Sequence, residues 1–115
     1  MEIELLVDDN QKKEIMKKYE SFFLESDQNG HNKPLYEKIC RNALFFIARE
    51  KDTICGFCAV YANDHISKEA YITLIAVDPL FQGKGIGRKL INTAIKKSFE
   101  NGMKICKLEV NKDNP

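Results

Sequence analysis

The spacing of apolar and polar positions along this chain changes several times, and each change marks an element. MEIELLV is short, alternating and rich in β-prone residues, which predicts a first strand. Asp8, Asp9 and Asn10 follow, and any of them can cap a helix by accepting from an amide one turn on. In that helix Ile15, Met16, Tyr19, Phe22 and Phe23 recur at helical spacing, with lysines and glutamates on the other face. SDQNGHNKP, at 26–34, is turn chemistry and predicts a loop. A shorter helix is expected from Leu35 to about Arg41, carrying Leu35, Tyr36, Ile39 and Cys40 on one side.

The period then drops to that of strands. ALFFIARE and TICGFCAVYA, separated by Lys51-Asp52, read as an antiparallel pair with a tight connection. The polar stretch NDHISKE leads to a third strand, AYITLIAV. After the glycine-rich QGKGIG, the segment RKLINTAIKKSFENG is amphipathic, with Leu90, Ile91, Ala94, Ile95 and Phe99 on its apolar face. Asn101-Gly102 supplies its stop, and MKICKLEV is the last strand. The expected fold is therefore α+β in the order β-α-α-β-β-β-α-β, a mixed and largely antiparallel twisted sheet flanked by helices.

Composition narrows this picture modestly. A chain of 115 residues holds one domain, and 43% apolar with 30% charged residues is ordinary for a globular protein. A net charge of +1 gives no basic footprint for nucleic acid. No apolar stretch approaches the roughly 20 residues of a membrane span. MEIELLVDDN lacks the basic flank and apolar centre of a signal peptide, so a cytoplasmic location is expected. The cysteines Cys40, Cys55, Cys58 and Cys106 sit in apolar surroundings. Cys55-Gly56-Phe57-Cys58 matches C-x-x-C, yet no second ligand pair accompanies it, and strand alternation would send positions three apart to opposite faces. Packing is the expected role of all four, with no metal.

Between the third strand and the amphipathic helix lies the stretch with the most chemistry, Gln82-Gly83-Lys84-Gly85-Ile86-Gly87. Glycines permit positive φ and close approach of a ligand to the backbone. The unpaired amides of a helix start converge on an anion, and Lys84 and Arg88 add charge. The nucleotide-binding P-loop, G-x-x-x-x-G-K-S/T, does not fit, because Arg88-Lys89-Leu90 follows where a hydroxyl is needed. The dinucleotide pattern G-x-G-x-x-G fails on the even spacing of the glycines. From the residues alone, both a phosphate cradle and a plain tight turn stay open.

QGKGIG resembles the Q/R-x-x-G-x-G/A signature of the GCN5-related N-acetyltransferases, and Leu74-Ile75-Ala76-Val77-Asp78-Pro79 resembles the strand before that loop. The helix after the loop, the strand KLEVNKDNP and the elements before the loop follow the family's order, so the resemblance covers nearly the whole chain. It implies acetyl-coenzyme A as cosubstrate, with its pyrophosphate on Gln82, Gly83, Lys84, Gly85, Ile86, Gly87 and Arg88. It also implies that the pantetheine arm lies along Ile75, Ala76 and Val77, and that the Val77 amide donates to the thioester carbonyl. Asn114 falls where members of the family have an asparagine near the cofactor.

The acceptor implied is a primary amine on a small molecule or peptide, which needs a base to remove its proton. Relatives place a glutamate on the strand before the loop. Here Tyr71 falls near that position, and Glu69 lies farther out, where it would work through water; as a residue pattern Glu69 also reads as a solvated strand start. Alternation from Val77 puts Glu69, Tyr71 and Thr73 on one face with it. His65 and the acids Glu25 and Asp27 read as surface residues. The family's later helix and strand pair have no counterpart in these residues, so the domain is expected to be C-terminally incomplete. An acetyl-CoA-binding module without transfer is the alternative. The edge of the final strand is expected to invite self-association.

Overall fold

A computed structural model gives the fold, and residues 1–23 and 31–108 are described. The elements are β1 (Glu2–Leu5), α1 (Asp9–Lys18), a short 3-10 turn (Glu20–Phe22), α2 (Lys33–Asn42), β2 (Leu44–Glu50), β3 (Thr53–Tyr61), β4 (Glu69–Val77), a second 3-10 turn (Pro79–Phe81), α3 (Ile86–Glu100) and β5 (Ile105–Leu108). The expected order is the order found. One five-stranded sheet runs β1-β2-β3-β4-β5, antiparallel throughout except for the parallel β4–β5 pair.

The sheet separates two cores. On one face Ile15, Met16 and Tyr19 of the α1 segment join Tyr36 and Ile39 of α2 against Phe45, Ile47, Phe57, Ala59, Leu74 and Ala76. Phe45 and Phe57 stack there at 5.1 Å. On the other face Ile86, Leu90 and Ala94 of α3 cover Phe46, Ala48, Cys58, Val60, Ala70 and Ile72. Each fully buried large side chain contributes about 2 kcal/mol, so this division is where the fold's stability lies.

Local chemistry sets the helix ends. Asp8 caps α1 by accepting from the Gln11 amide at 3.0 Å. The helix is shorter than its apolar spacing suggests. It ends at Lys18, and the chain tightens into a 3-10 turn that re-aims Phe22 away from the helical stripe. α3 stops at Asn101-Gly102 as expected: Gly102 takes φ 91°, its amide donates to the Phe99 carbonyl, and the Met103 amide donates to that of Ser98. That pattern satisfies the last carbonyls of the helix.

Two β-bulges overturn two expectations drawn from strict alternation. In β3 the register moves from Ala48↔Gly56 to Arg49↔Ile54, leaving Cys55 as an extra residue. Cys55 and Cys58 therefore both face α3, not opposite sides of the sheet. They remain free thiols: Cys55 donates to the Ala48 carbonyl at 3.3 Å, and burial, aided by nearby Cys106, pushes Cys58 up to about 12. In β4 the register moves from Ala59↔Leu74 to Val60↔Ile72, which makes Thr73 the extra residue. Ile75 and Val77 pack toward α3, and so do Ala70 and Ile72. Tyr71 and Glu69 consequently share the α1/α2 face with Leu74 and Ala76, not the face of Val77.

Gly56 is the tightest point of this assembly. A Cβ there would stand 2.9 Å from the Ala76 carbonyl oxygen and 3.3 Å from Leu90 Cδ1, so β3, β4 and α3 meet with no room for a methyl. Gly56→Ala is expected to destabilise the protein by about 1–3 kcal/mol through overpacking. Urea unfolding measures this as a lowered midpoint at unchanged slope; a midpoint equal to that of the parent protein would contradict it.

Candidate functional site

The C-terminal half of β4 is paired on one side only. β5 meets β4 from Glu69↔Ile105 to Ile72↔Leu108 and, among the described residues, no strand pairs with the outer edge from Thr73 to Val77. The hydrogen-bond phase identifies which peptide groups face that open edge. The Asp78 amide donates to the Cys55 carbonyl at 2.8 Å, one step beyond the Gly56↔Val77 pair. In an antiparallel ladder this makes Val77 a non-hydrogen-bonded position, as is Ile75 two residues back. The N–H and C=O of Val77 and Ile75 thus point out of the sheet. Ala76, between them, spends its peptide groups on β3 and offers only its side chain.

An open cleft of about 360 Å³ lies along this edge, lined by Phe22, Ile75, Ala76, Val77 and Gln82. The Gln82 amide nitrogen donates to the outward Val77 carbonyl at 3.3 Å. At the same end the glycine loop enters α3. Gly83 and Gly85 adopt φ 85° and 77°, a left-handed geometry that side chains disfavour, while nothing lies within 4 Å of where their Cβ atoms would be. Gly85 is the N-cap and gives no side-chain cap; its carbonyl accepts from Lys89 at 3.1 Å. The amides of Ile86, Gly87 and Arg88 precede that first helical bond and are donors in search of an acceptor. Ile86 itself is buried in the α3 core, so it anchors the loop and contributes only its backbone. Lys84 and Arg88 are exposed, with the Lys84 ammonium 5.3 Å from the Phe81 ring centroid. Convergent amides, a helix dipole and two cations suit an anion such as a diphosphate.

The loop's entry is held by Asp78. Its carboxylate accepts from the Leu80 amide at 3.0 Å and from the Tyr19 hydroxyl at 2.9 Å, joining the end of α1 to the end of β4. These bonds, the Leu80 amide first, lower the Asp78 carboxyl below the usual carboxylate range. Burial, reinforced by the hydrogen bond to Asp78, raises the Tyr19 phenol. Neither residue was singled out as a site residue from the sequence. Asp78 before Pro79 reads as a turn, and Tyr19 reads as part of a core stripe.

Glu69 and Tyr71 form a separate group. The Tyr71 hydroxyl donates to Glu69 at 3.2 Å, Lys107 is ion-paired to Glu69 at 3.2 Å, and the Lys107 ammonium lies 5.7 Å from the Tyr71 ring centroid. The hydrogen bond and charge of Glu69 raise the Lys107 ammonium above its ordinary value. Glu69 and Val77 stand eight residue steps apart along β4, about 26 Å; Tyr71 is about 13 Å from Ile75 by the same measure. The structure brings Ile75, Ala76, Val77 and Gln82 into one cleft, continues the chain from Gln82 into the Gly83–Arg88 loop, and leaves Glu69 and Tyr71 outside the cleft lining. Asn114, Glu25 and Asp27 lie outside the described residues, and His65 is exposed. Among the described residues no His, Cys, Asp and Glu side chains gather as a metal-binding group, and no helix is long and apolar enough to cross a membrane.

Comparison with known proteins gives the class of domain that carries this cleft and glycine loop, an acyltransferase. The acetyltransferase (GNAT) family matches residues 12–115, and the chain belongs to that family. An uncharacterized N-acetyltransferase of Methanocaldococcus jannaschii is 39% identical over 74 residues, 61% of this chain and 33% of that protein. The match thus spans about a third of that curated relative's length. Among solved structures, an aminoglycoside acetyltransferase from an uncultured soil metagenomic sample, in complex with trehalose, superposes with TM-score 0.75 at 26% identity. It covers 96% of this chain and 78% of its own. The PaiA N-acetyltransferase of Thermoplasma acidophilum, in complex with coenzyme A, shares the fold with TM-score 0.71 at 22% identity, covering 99% of this chain and 82% of its own.

The Tyr19–Asp78 bond leads to a pH prediction. A carboxyl whose folded pKa is depressed adds stability above its unfolded value, about 3.9, and loses it as pH falls through the folded value. Tyr19→Phe removes one of the two donors. The stability gap between parent and variant is expected to be constant from pH 5 to 7 and to shrink below pH 4, by denaturant titration at each pH. A gap unchanged down to pH 2 would rule the bond out as the source.

Proposed function

We propose that this chain binds acetyl-coenzyme A along the open edge of β4 and transfers its acetyl group to a primary amine. The observation that carries this reading is the ladder phase that leaves the Ile75 and Val77 peptide groups facing the cleft beside the uncapped amides of α3. The diphosphate would sit on the Gly83–Arg88 amides with Lys84 and Arg88 alongside, and the pantetheine amides would pair with the β4 edge as an added strand. The outward Val77 amide, with that of Ile75 two residues inward, donates to the thioester oxygen as negative charge builds there. Such a donor contributes about 3 kcal/mol to the barrier.

Transfer is direct. The amine nitrogen forms a bond to the thioester carbon, the C–S bond breaks, and the thiolate leaves with a proton. Before attack an alkylammonium, with a pKa of about 10, must lose its proton. Tyr71 stands on the α1/α2 face, about 13 Å along β4 from Ile75, and donates to Glu69, so the pair can take up that proton only along a chain of several waters, with Lys107 ion-paired to the carboxylate. A small molecule or a peptide can present the amine. The outer edge of β5 offers a second copy of the chain a pairing surface within the same reading.

The pairing of Glu69 with Lys107, at the end of β4 away from Val77, favours a second reading, an acetyl-CoA-binding module without transfer.

Isothermal titration tests the donor site. Acetyl-CoA is expected to bind and ATP is not. Gly85→Val, which places a side chain where φ is 77°, is expected to weaken binding at least tenfold. That variant carries about 1–2 kcal/mol of backbone strain, so its fold is checked by circular dichroism. Unchanged affinity in a folded variant would overturn the cradle. Free-thiol release over a panel of primary amines separates the two readings, and Tyr71→Phe is expected to slow it roughly 10²-fold if the relay operates. Tight binding with no thiol release would leave the binding module.

A further inference from the structure

Four of the five residues along the cleft come from β4 or the loop after it, and the fifth is Phe22. Phe22 stands on the opposite side of the opening, on the 3-10 turn that follows α1. Its ring is 41% exposed, although its neighbour Tyr19 is buried to 2%. The two rings are 6.0 Å apart, and Tyr19 is fixed in turn by Phe57 at 6.2 Å and by the bond to Asp78. Phe22 is therefore an aromatic wall held from behind with an unpacked face toward the cleft. Across from it is Ala76, whose small side chain points to the same face of the sheet.

This arrangement has a direction. The anion-binding amides lie at the start of α3, on the α3 side of the sheet, while Phe22 and Ala76 lie on the α1/α2 side. A donor anchored by its diphosphate at the loop, with its thioester carbonyl at the outward amides, sends its acyl carbons across the edge toward Phe22. The pantetheine arm would take up the part of the cleft along Ile75 and Val77, and the exposed Phe22, lining the same cleft, is the apolar surface left for acyl carbons beyond the second.

From this geometry we infer that Phe22 is a specificity-determining residue for the acyl group, and that acyl-CoA donors with chains longer than acetyl bind more tightly because they cover its exposed ring. The inference rests on the coenzyme A reading of the cleft. Each methylene taken from water is expected to raise affinity roughly three- to fivefold. Butyryl-CoA, two methylenes longer than acetyl-CoA, is thus expected to bind about tenfold more tightly.

Isothermal titration of the full chain with coenzyme A, acetyl-CoA and butyryl-CoA tests this. The affinity ratio of butyryl-CoA to acetyl-CoA is measured within each protein. The expected ratio is about ten in the parent protein, falling below two in Phe22→Ala, with Phe22→Leu between them. A parent ratio near one overturns the inference even though all three ligands bind. So does a ratio of ten that survives in Phe22→Ala, or in Phe22→Leu should the alanine variant not fold. If none of the three ligands binds the parent protein, the coenzyme A reading fails and takes the inference with it.

Discussion

The cleft depends on a strand end that, among the described residues, is hydrogen-bonded on one side only. A buried strand ordinarily satisfies both edges, because an unpaired peptide group shut away from water costs about as much as a lost hydrogen bond. β4 is held along its inner edge by β3, while among the described residues β5 accompanies its outer edge as far as Ile72. Beyond that point the outward groups of Ile75 and the Val77 amide face an open cleft, while the Gln82 side chain donates to the Val77 carbonyl. Rigidity on the inner edge makes that exposure useful. Gly56 lets β3 and α3 close tightly on Ala76, so the open edge presents donors at fixed positions.

The glycine loop and the strand edge act as one surface because Asp78 joins them. Its amide extends the β3–β4 ladder by one bond, and its carboxylate holds the Leu80 amide of the turn and the hydroxyl of Tyr19. Charge, ladder and aromatic packing therefore converge on a single half-buried carboxylate. The uncapped amides of α3 and the outward peptide groups of β4 inherit their relative positions from it.

Much of this was legible in the sequence, and what was not has identifiable causes. Element order followed from the changes of period, and the stop at Asn101-Gly102 followed from glycine's tolerance of positive φ. The loop at 82–87 was legible because its glycines stand between an apolar strand and an amphipathic helix. The faces of β4 were not. An extra residue inside a strand leaves composition unchanged, so AYITLIAV reads as unbroken alternation although Thr73 shifts its phase. Cys55 hid a bulge in the same way. Phe22 was counted as core because its spacing from Tyr19 is helical. Only the tightening of the chain after Lys18 turns it toward the cleft.

The bulge at Thr73 works as a half-turn inserted in a screw. Upstream of it, Ala70 and Ile72 lie against α3 while Glu69 and Tyr71 look the other way. Downstream, Ile75 and Val77 lie against α3 while Leu74 and Ala76 look the other way. Were Thr73 held in unbroken alternation instead of bulged, seating Ile75 and Val77 under α3 would bring Glu69 and Tyr71 into the same apolar layer. β4 thus keeps an apolar contact with α3 along its length and still carries a carboxylate and a phenol on the opposite face. A single backbone irregularity keeps the two halves of the strand compatible with one core.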